Sequence, residues 1–291
     1  CGSPDRKPLF SLLIAYAVQC SRCGFKYVSP QMTEHALAAY YTKQYQDEIF
    51  KCDLEGRPHD MFDDAEERRR KIADRHVEIQ LTDRHIKSGR VLDVGSGAGL
   101  YFEGLRGQHE LHALEVSPLA AAFVRDRFSA QVQQSTVQQA TYKEESFDVV
   151  NMTYVIEHVG NPLAVLKRVV TWLKPGGLLL VSSPNWGSIM ARIYREFFRL
   201  NEPNQHICLW DPSTLTRALT RSGTHVCRLH YPYFRTEYFN LYEVRRVLTN
   251  SVIRILLPAL LRLGLDPAPK HVLSPPFWQS IMVAEAYRRD D

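Results

Sequence analysis

The stretch VLDVGSGAGL, residues 91–100, decides the fold. An apolar run carrying Asp93 breaks into glycines at 95, 97 and 99. A strand that ends in closely spaced glycines and then resumes with apolar residues reads as a strand, a tight turn and a helix, with backbone able to approach a ligand. The dinucleotide fingerprint G-x-G-x-x-G would need a glycine at 100, where Leu100 stands, and a P-loop would need a following Lys, which is absent. The helix N-terminus beyond the glycines still favours an anion, and a carboxylate suits it. ELHALEV (110–116) reads as the next strand, with Glu115 standing 20 residues after Gly95. An acid there can accept hydrogen bonds from both hydroxyls of a ribose. A ligand with a ribose and a carboxylate but no phosphate fits S-adenosylmethionine.

Outward from this unit the chain alternates strand and helix. Strands are expected at 130–136, 146–154, 178–184, 224–231 and 279–287. Helices are expected at 99–106, 117–128, 161–177 and 211–223. The last three open on Ser117, Asn161 and Asp211, each followed by Pro at the first helical position. Gly176 and Gly177 read as the stop of the third helix. The pattern predicts an α/β fold: a Rossmann-like, seven-stranded, mostly parallel sheet with helices on both faces and an antiparallel last strand. Before it, residues 1–30 form a cysteine-bearing, zinc-ribbon-like remnant. Residues 31–88 form a helical cap that includes a charged helix at about 63–86. Residues 89–291 make the main domain, with insertions at about 185–210 and 236–275.

Composition narrows the class. The 291 residues carry a net charge of +4, too weak a basic balance to argue for nucleic acid. Six cysteines are too sparse for a disulfide scaffold, so a reducing, cytoplasmic setting is expected, with neither a signal peptide nor an internal repeat. No apolar run is long and uncharged enough to span a bilayer.

VLDVGSGAGL, LEVSP, SFDVVNMTYVIEHVGNP and LKPGGLLLVSSPN, in that order, resemble the motifs of class I S-adenosylmethionine-dependent methyltransferases over about residues 90–231. The resemblance implies roles. Gly95, Ser96, Gly97 and Gly99 match the loop under the methionine moiety, and Asp93 the acid that orients it. Glu115 matches the ribose binder, and Val116 packs on adenine. The position that often carries an acid for the adenine amino group falls near Thr136, which leaves adenine to the Thr136 hydroxyl or nearby backbone. Asn151 to Tyr154 match the segment passing under the methionine chain. The tyrosines of AAYYTKQYQDEIF resemble a segment that folds over the cofactor, with Tyr41 or Tyr45 near its methionine end.

The acceptor is less legible. A hydroxyl acceptor needs a base, and His158 and His206 are the candidates, His206 slightly favoured. The acceptor is expected to be a small molecule such as a sugar, a polysaccharide precursor, a quinone or a secondary metabolite. A macromolecule or lipid, and an inactive cofactor-binding module, are the alternatives. The first insertion reads as a lid or as a helix packed on the core. CSRCGFKYVSP (20–30) has the form of a zinc knuckle, and Cys1 resembles the end of an earlier one, so Cys1, Cys20 and Cys23 are candidate zinc ligands. SVIRILLPALLRLGL (251–265) is apolar with two arginines. Core packing is its favoured reading, ahead of a lid or dimer contact, and membrane contact is a third.

Overall fold

The computed structural model describes residues 3–11, 15–33, 35–37, 39–40, 62, 64–198, 205–234, 236, 239–263, 274 and 277–290. Along the chain come β1 (Arg6–Ser11), β2 (Tyr16–Cys20), β3 (Lys26–Ser29), α1 (Ala65–Ala73), α2 (His76–His85), β4 (Ser88–Val94), α3 (Leu100–Gly104), β5 (Gln108–Glu115), α4 (Pro118–Phe128) and β6 (Gln131–Gln134). Then follow β7 (Phe147–Thr153), α5 (Pro162–Trp172), β8 (Leu173–Pro184), α6 (Ile189–Tyr194), β9 (Cys208–Leu209), α7 (Pro212–Arg221), β10 (Thr224–His230), α8 (Leu241–Arg262) and β11 (Ile281–Arg288).

Seven strands form the main sheet in the order β10-β11-β8-β7-β4-β5-β6. The five from β8 to β6 are parallel, and β11 runs antiparallel to both of its neighbours. Alternate residues of each strand feed opposite faces. Leu92, Val94, Val150, Met152, Leu179 and Val181 pack with α5 and α7. Val91, Val149, Leu178 and Leu180 pack with α2, α3 and α4. The chain builds outward from β4 through β5 to β6 and then returns to place β7 on the other side of β4. The connections leaving β4 and β7 therefore diverge, and a crevice opens at the carboxyl edge between them.

The three capping devices fold as their sequences require. Ser117 Oγ accepts from the Ala120 amide, Asn161 Oδ1 from Ala164, and Asp211 makes a reciprocal capping box with Thr214. Two expectations are corrected. The charged helix at 63–86 is two helices, because Arg75 leaves helical geometry (φ −98°, ψ 8°). The break lets α2 turn Ile79 and Leu81 into the core, while α1, with six charged residues in nine, buries Glu67 and Arg68. The helix expected to run to Gly177 ends at Trp172, and Gly176 (φ +69°) lies inside β8. The carbonyls of Thr171 and Trp172 are taken by the amides of Glu145 and Ser146, which stops the helix before the glycines.

The N-terminal segment is an antiparallel meander, β1-β2-β3. Its fourth strand, β9, comes from the first insertion, with Tyr27 paired to Cys208 and Lys26 to Leu209. Trp186, Tyr194 and Phe198 of the insertion are buried with Ala17 and Val28 of the meander in a second core. These aromatics of the insertion bind two layers together, and α8 adds Val247 to the same core.

Candidate active site

The crevice holds a cavity of about 630 Å³, within the range of small-molecule sites. Gly95, the first residue of the glycine turn, lines it. Gly95 (φ +70°) hydrogen-bonds Leu114 O through its amide at 2.7 Å, and a Cβ there would meet Val155 Cγ2 at 2.6 Å. Gly99 (φ +69°) starts α3, and a Cβ there would lie 2.3 Å from the Phe128 ring. Both positions need a residue without a side chain, by backbone angle and by space.

Glu115 lies at the end of β5, buried on the cavity wall. Its two oxygens accept from the amides of Gly97 and Ser117, each at 2.8 Å. Burial pushes its pKa up, and the amides of Ser117, Gly97 and Val116 pull it back. These amides lock the carboxylate in place and leave lone pairs for hydroxyl donors. Val116, Ser135, Thr136, Val137, Gln138 and Gln139 continue the wall.

Asp93 sits behind the turn, buried, accepting from the Asn151 side-chain amide at 2.7 Å. Burial pushes its pKa up to about 7, against the Asn151 hydrogen bond and Arg75, with Glu115 and Glu78 adding to the rise. Arg75, at the break between α1 and α2, stacks 4.9 Å from the centre of the Tyr154 ring. Burial disfavours its charge, but Tyr154, Glu78, Asp74 and Asp93 hold its pKa above the ordinary arginine value. Ser96 Oγ is buried and makes no hydrogen bond among the described residues. An unoccupied donor beside an acid, an arginine and a glycine turn suits a zwitterionic ligand with a ribose, so these residues fit S-adenosylmethionine.

His158 lines the cavity, and His206 is buried directly behind it, the rings edge to face with centres 4.7 Å apart. His158 Nδ1 is 3.1 Å from Gln205 O. Burial and then the neighbouring His206 hold the His158 pKa well below the ordinary imidazole value, although the backbones of Gln205 and Tyr154 oppose this. Glu157 completes the group, with one potential ligand atom from each of the three all within 4.8 Å of one another, close enough for a divalent cation to bridge.

The structure thus brings Gly95, Glu115, Val116, Thr136 and His158 onto one cavity, with Asp93 and Asn151 paired beneath it. Tyr41, Tyr45 and Cys1 lie outside the described residues. Cys20 and Cys23 flank the β2–β3 turn, where backbone amides of Cys23 and Arg22 lower the Cys20 pKa. They supply two thiols where tetrahedral zinc takes four ligands. Sequence reasoning missed Arg75 and also Arg68, which is buried and donates to Ala98 O of the glycine turn at 3.0 Å while pairing with Glu103. It missed Met32, His35 and Leu37 on the cavity rim. Their one sequence signal was position, ahead of the tyrosines expected to cover the cofactor.

Residues 65–228 match the family described as "Methyltransferase domain". The ubiquinone biosynthesis O-methyltransferase of Xanthomonas campestris pv. campestris (strain B100) is 35% identical over 107 residues, 34% of this chain and 45% of that protein. The same-named protein of Aeromonas salmonicida is 32% identical over 103 residues, 33% of this chain and 43% of that one. The matches thus span less than half the length of these relatives. Among solved structures, the 1,6-didemethyltoxoflavin-N1-methyltransferase of Burkholderia thailandensis, with bound 1,6-didemethyltoxoflavin and S-adenosylhomocysteine, covers 98% of this chain and 100% of its own at 15% identity and a TM-score of 0.55. A SAM-dependent methyltransferase of Thermotoga maritima covers 77% and 95% at 19% identity and a TM-score of 0.51. At these identities the structures share the fold, and the sequence match over more than half the chain places it in the family: this chain belongs to the methyltransferase-domain family.

Proposed function

We propose that this chain transfers a methyl group from S-adenosylmethionine to a hydroxyl of a small-molecule acceptor in a reducing, cytoplasmic setting. The observation that carries the reading is Glu115, held by two amides on the wall of the crevice beside the glycine turn. Glu115 accepts the ribose hydroxyls, and Val116 and Thr136 line the adenine. Asp93 faces the ammonium of the methionine part, Arg75 its carboxylate, and Gly95 to Gly99 give the chain room to pass. When bound, the cofactor supplies a methyl already activated on a sulfonium sulfur. Alignment and exclusion of water are then the protein's main contribution.

His158 takes the acceptor's proton as the new O–CH3 bond forms and the S–CH3 bond breaks. Its place on the cavity wall supports it over His206, which buttresses it from behind. With Nδ1–H donated to Gln205 O, Nε2 is the basic nitrogen, and the low pKa keeps the ring neutral at pH 7. The ubiquinone-pathway names of the relatives support an O-methyl product. The test is methyl-labelled donor incubated with hydroxylated quinone precursors and sugars. Label transfer to an acceptor, lowered about 100-fold or more in His158→Ala with cofactor affinity unchanged, is expected. Failure to bind S-adenosylhomocysteine sinks the reading. Full turnover in both His158→Ala and His206→Ala leaves an acceptor that needs only proximity.

A further inference from the structure

Helix α8 presents the wrong face to water. Leu241 is 86% exposed, Leu248 65% and Ile255 60%, and Val252, Leu256 and Ala259 are exposed with them. These residues recur at helical spacing along one side, and Leu263 extends the row just past the helix. On the inner side, Val247 and Ser251 are buried, and Arg254 pairs with Glu196 over the Phe197 ring. The outer side of a surface helix is ordinarily polar, and along this one it carries an apolar row instead. Core packing, the reading favoured from sequence, accounts for its inner side alone.

A second feature adjoins it. Tyr233, Phe234, Phe239, Phe277 and Trp278 form a network of ring contacts just ahead of α8 and β11, with Phe234, Phe239 and Trp278 exposed. The charge is one-sided as well. The helix sequence holds Arg245, Arg246, Arg254 and Arg262 against the single acid Glu243, and Arg245 and Arg262 are exposed beside the apolar row. A second copy of this chain set on the same face would bring those arginines against a helix that holds one acid, Glu243, to its four arginines. An anionic lipid surface would meet them with phosphates, take the aliphatic row into its acyl boundary and seat the aromatics at headgroup level.

We propose that α8 and the adjoining aromatic cluster dock this protein on an anionic bilayer, with the helix lying in the interface plane. No helix of the described residues is long and apolar enough to cross a membrane, so the contact is peripheral. The docking face contains none of the residues that line the cavity.

The test is flotation of the full chain with vesicles of phosphatidylcholine alone or with phosphatidylglycerol added. Binding to the anionic vesicles, weakened by salt, is expected. Arg245→Gln/Arg262→Gln should lower it by about fivefold per arginine. Leu248→Glu/Ile255→Glu should abolish it while circular dichroism and the urea midpoint stay unchanged, since both side chains face outward. Tryptophan emission should shift to the blue on anionic vesicles, and Trp278→Phe should remove the shift, because Trp172, Trp186 and Trp210 are buried. Flotation that is absent, or that persists in Leu248→Glu/Ile255→Glu, overturns the proposal. So does a concentration-dependent dimer that those two substitutions dissolve, which would assign the face to a second copy.

Discussion

Replacing Asp93 with Asn should make the ligand-free protein more stable at alkaline pH. The carboxyl is buried and its pKa stands at about 7 against a reference of 3.8, a difference of roughly three pH units, or about 4 kcal/mol in full. The native state holds the proton more tightly than the unfolded chain does. The stabilisation from that proton is therefore complete below about pH 4 and is lost as pH rises through 7. About 3 kcal/mol of the loss falls between pH 5 and pH 8. Asn keeps the shape and an oxygen to accept from the Asn151 amide, now 2.7 Å from Asp93 Oδ1, but it never ionises. Urea unfolding of both proteins at pH 5, 6, 7 and 8 gives the difference directly, since other titrating groups cancel. The variant should gain on the wild type by about 2–3 kcal/mol across that range. Saturating S-adenosylhomocysteine, whose ammonium would offset the Asp93 charge, should narrow the gap at pH 8. Parallel pH profiles for the two proteins would refute the buried-carboxylate account.

Further outcomes are expected at three other places. Glu115→Ala removes charge-assisted hydrogen bonds to the ribose and the acceptor of the Gly97 and Ser117 amides. Calorimetry should show S-adenosylhomocysteine affinity weakened by about 2–4 kcal/mol, and unchanged affinity would remove Glu115 from the site. Gly99→Ala combines a left-handed backbone angle with a Cβ 2.3 Å from the Phe128 ring. The loss should be about 2–4 kcal/mol, read as a lowered urea midpoint, and Phe128→Ala in the same chain should recover part of it. If Cys20 and Cys23 hold zinc together with residues outside the described set, metal analysis should find about one equivalent per chain. Cys20→Ser/Cys23→Ser should lose it, and a metal-free wild type would make the turn a structural one.

The sheet was legible because its signals are local. Apolar runs such as Leu178–Val181 have few other uses, and Ser117, Asn161 and Asp211 announce helix starts within four residues. The glycine turn and the place of Glu115 on the cavity wall were legible for the same reason: backbone angle and strand-end position fix where they stand. What escaped depends on contacts distant in sequence. Arg75 and Arg68 sit in a run of charges that reads as a solvated face, and they are recruited inward by Tyr154 and by Ala98 O. The break between α1 and α2 has no glycine or proline to mark it. The order of His158 and His206 on the cavity wall follows from how the first insertion folds back, and local pattern does not encode that.

The pairing of β3 with β9 also sets a timetable. Lys26 finds its partner in Leu209, roughly 180 residues further along the chain. At about 5–20 residues per second of synthesis, the open edge of the meander waits about 10–35 s on the ribosome before its last strand exists. Such an edge is a template for pairing with other chains. Codon choice, chaperone access and growth temperature acting on that interval should govern how much of the newly made protein reaches its native state.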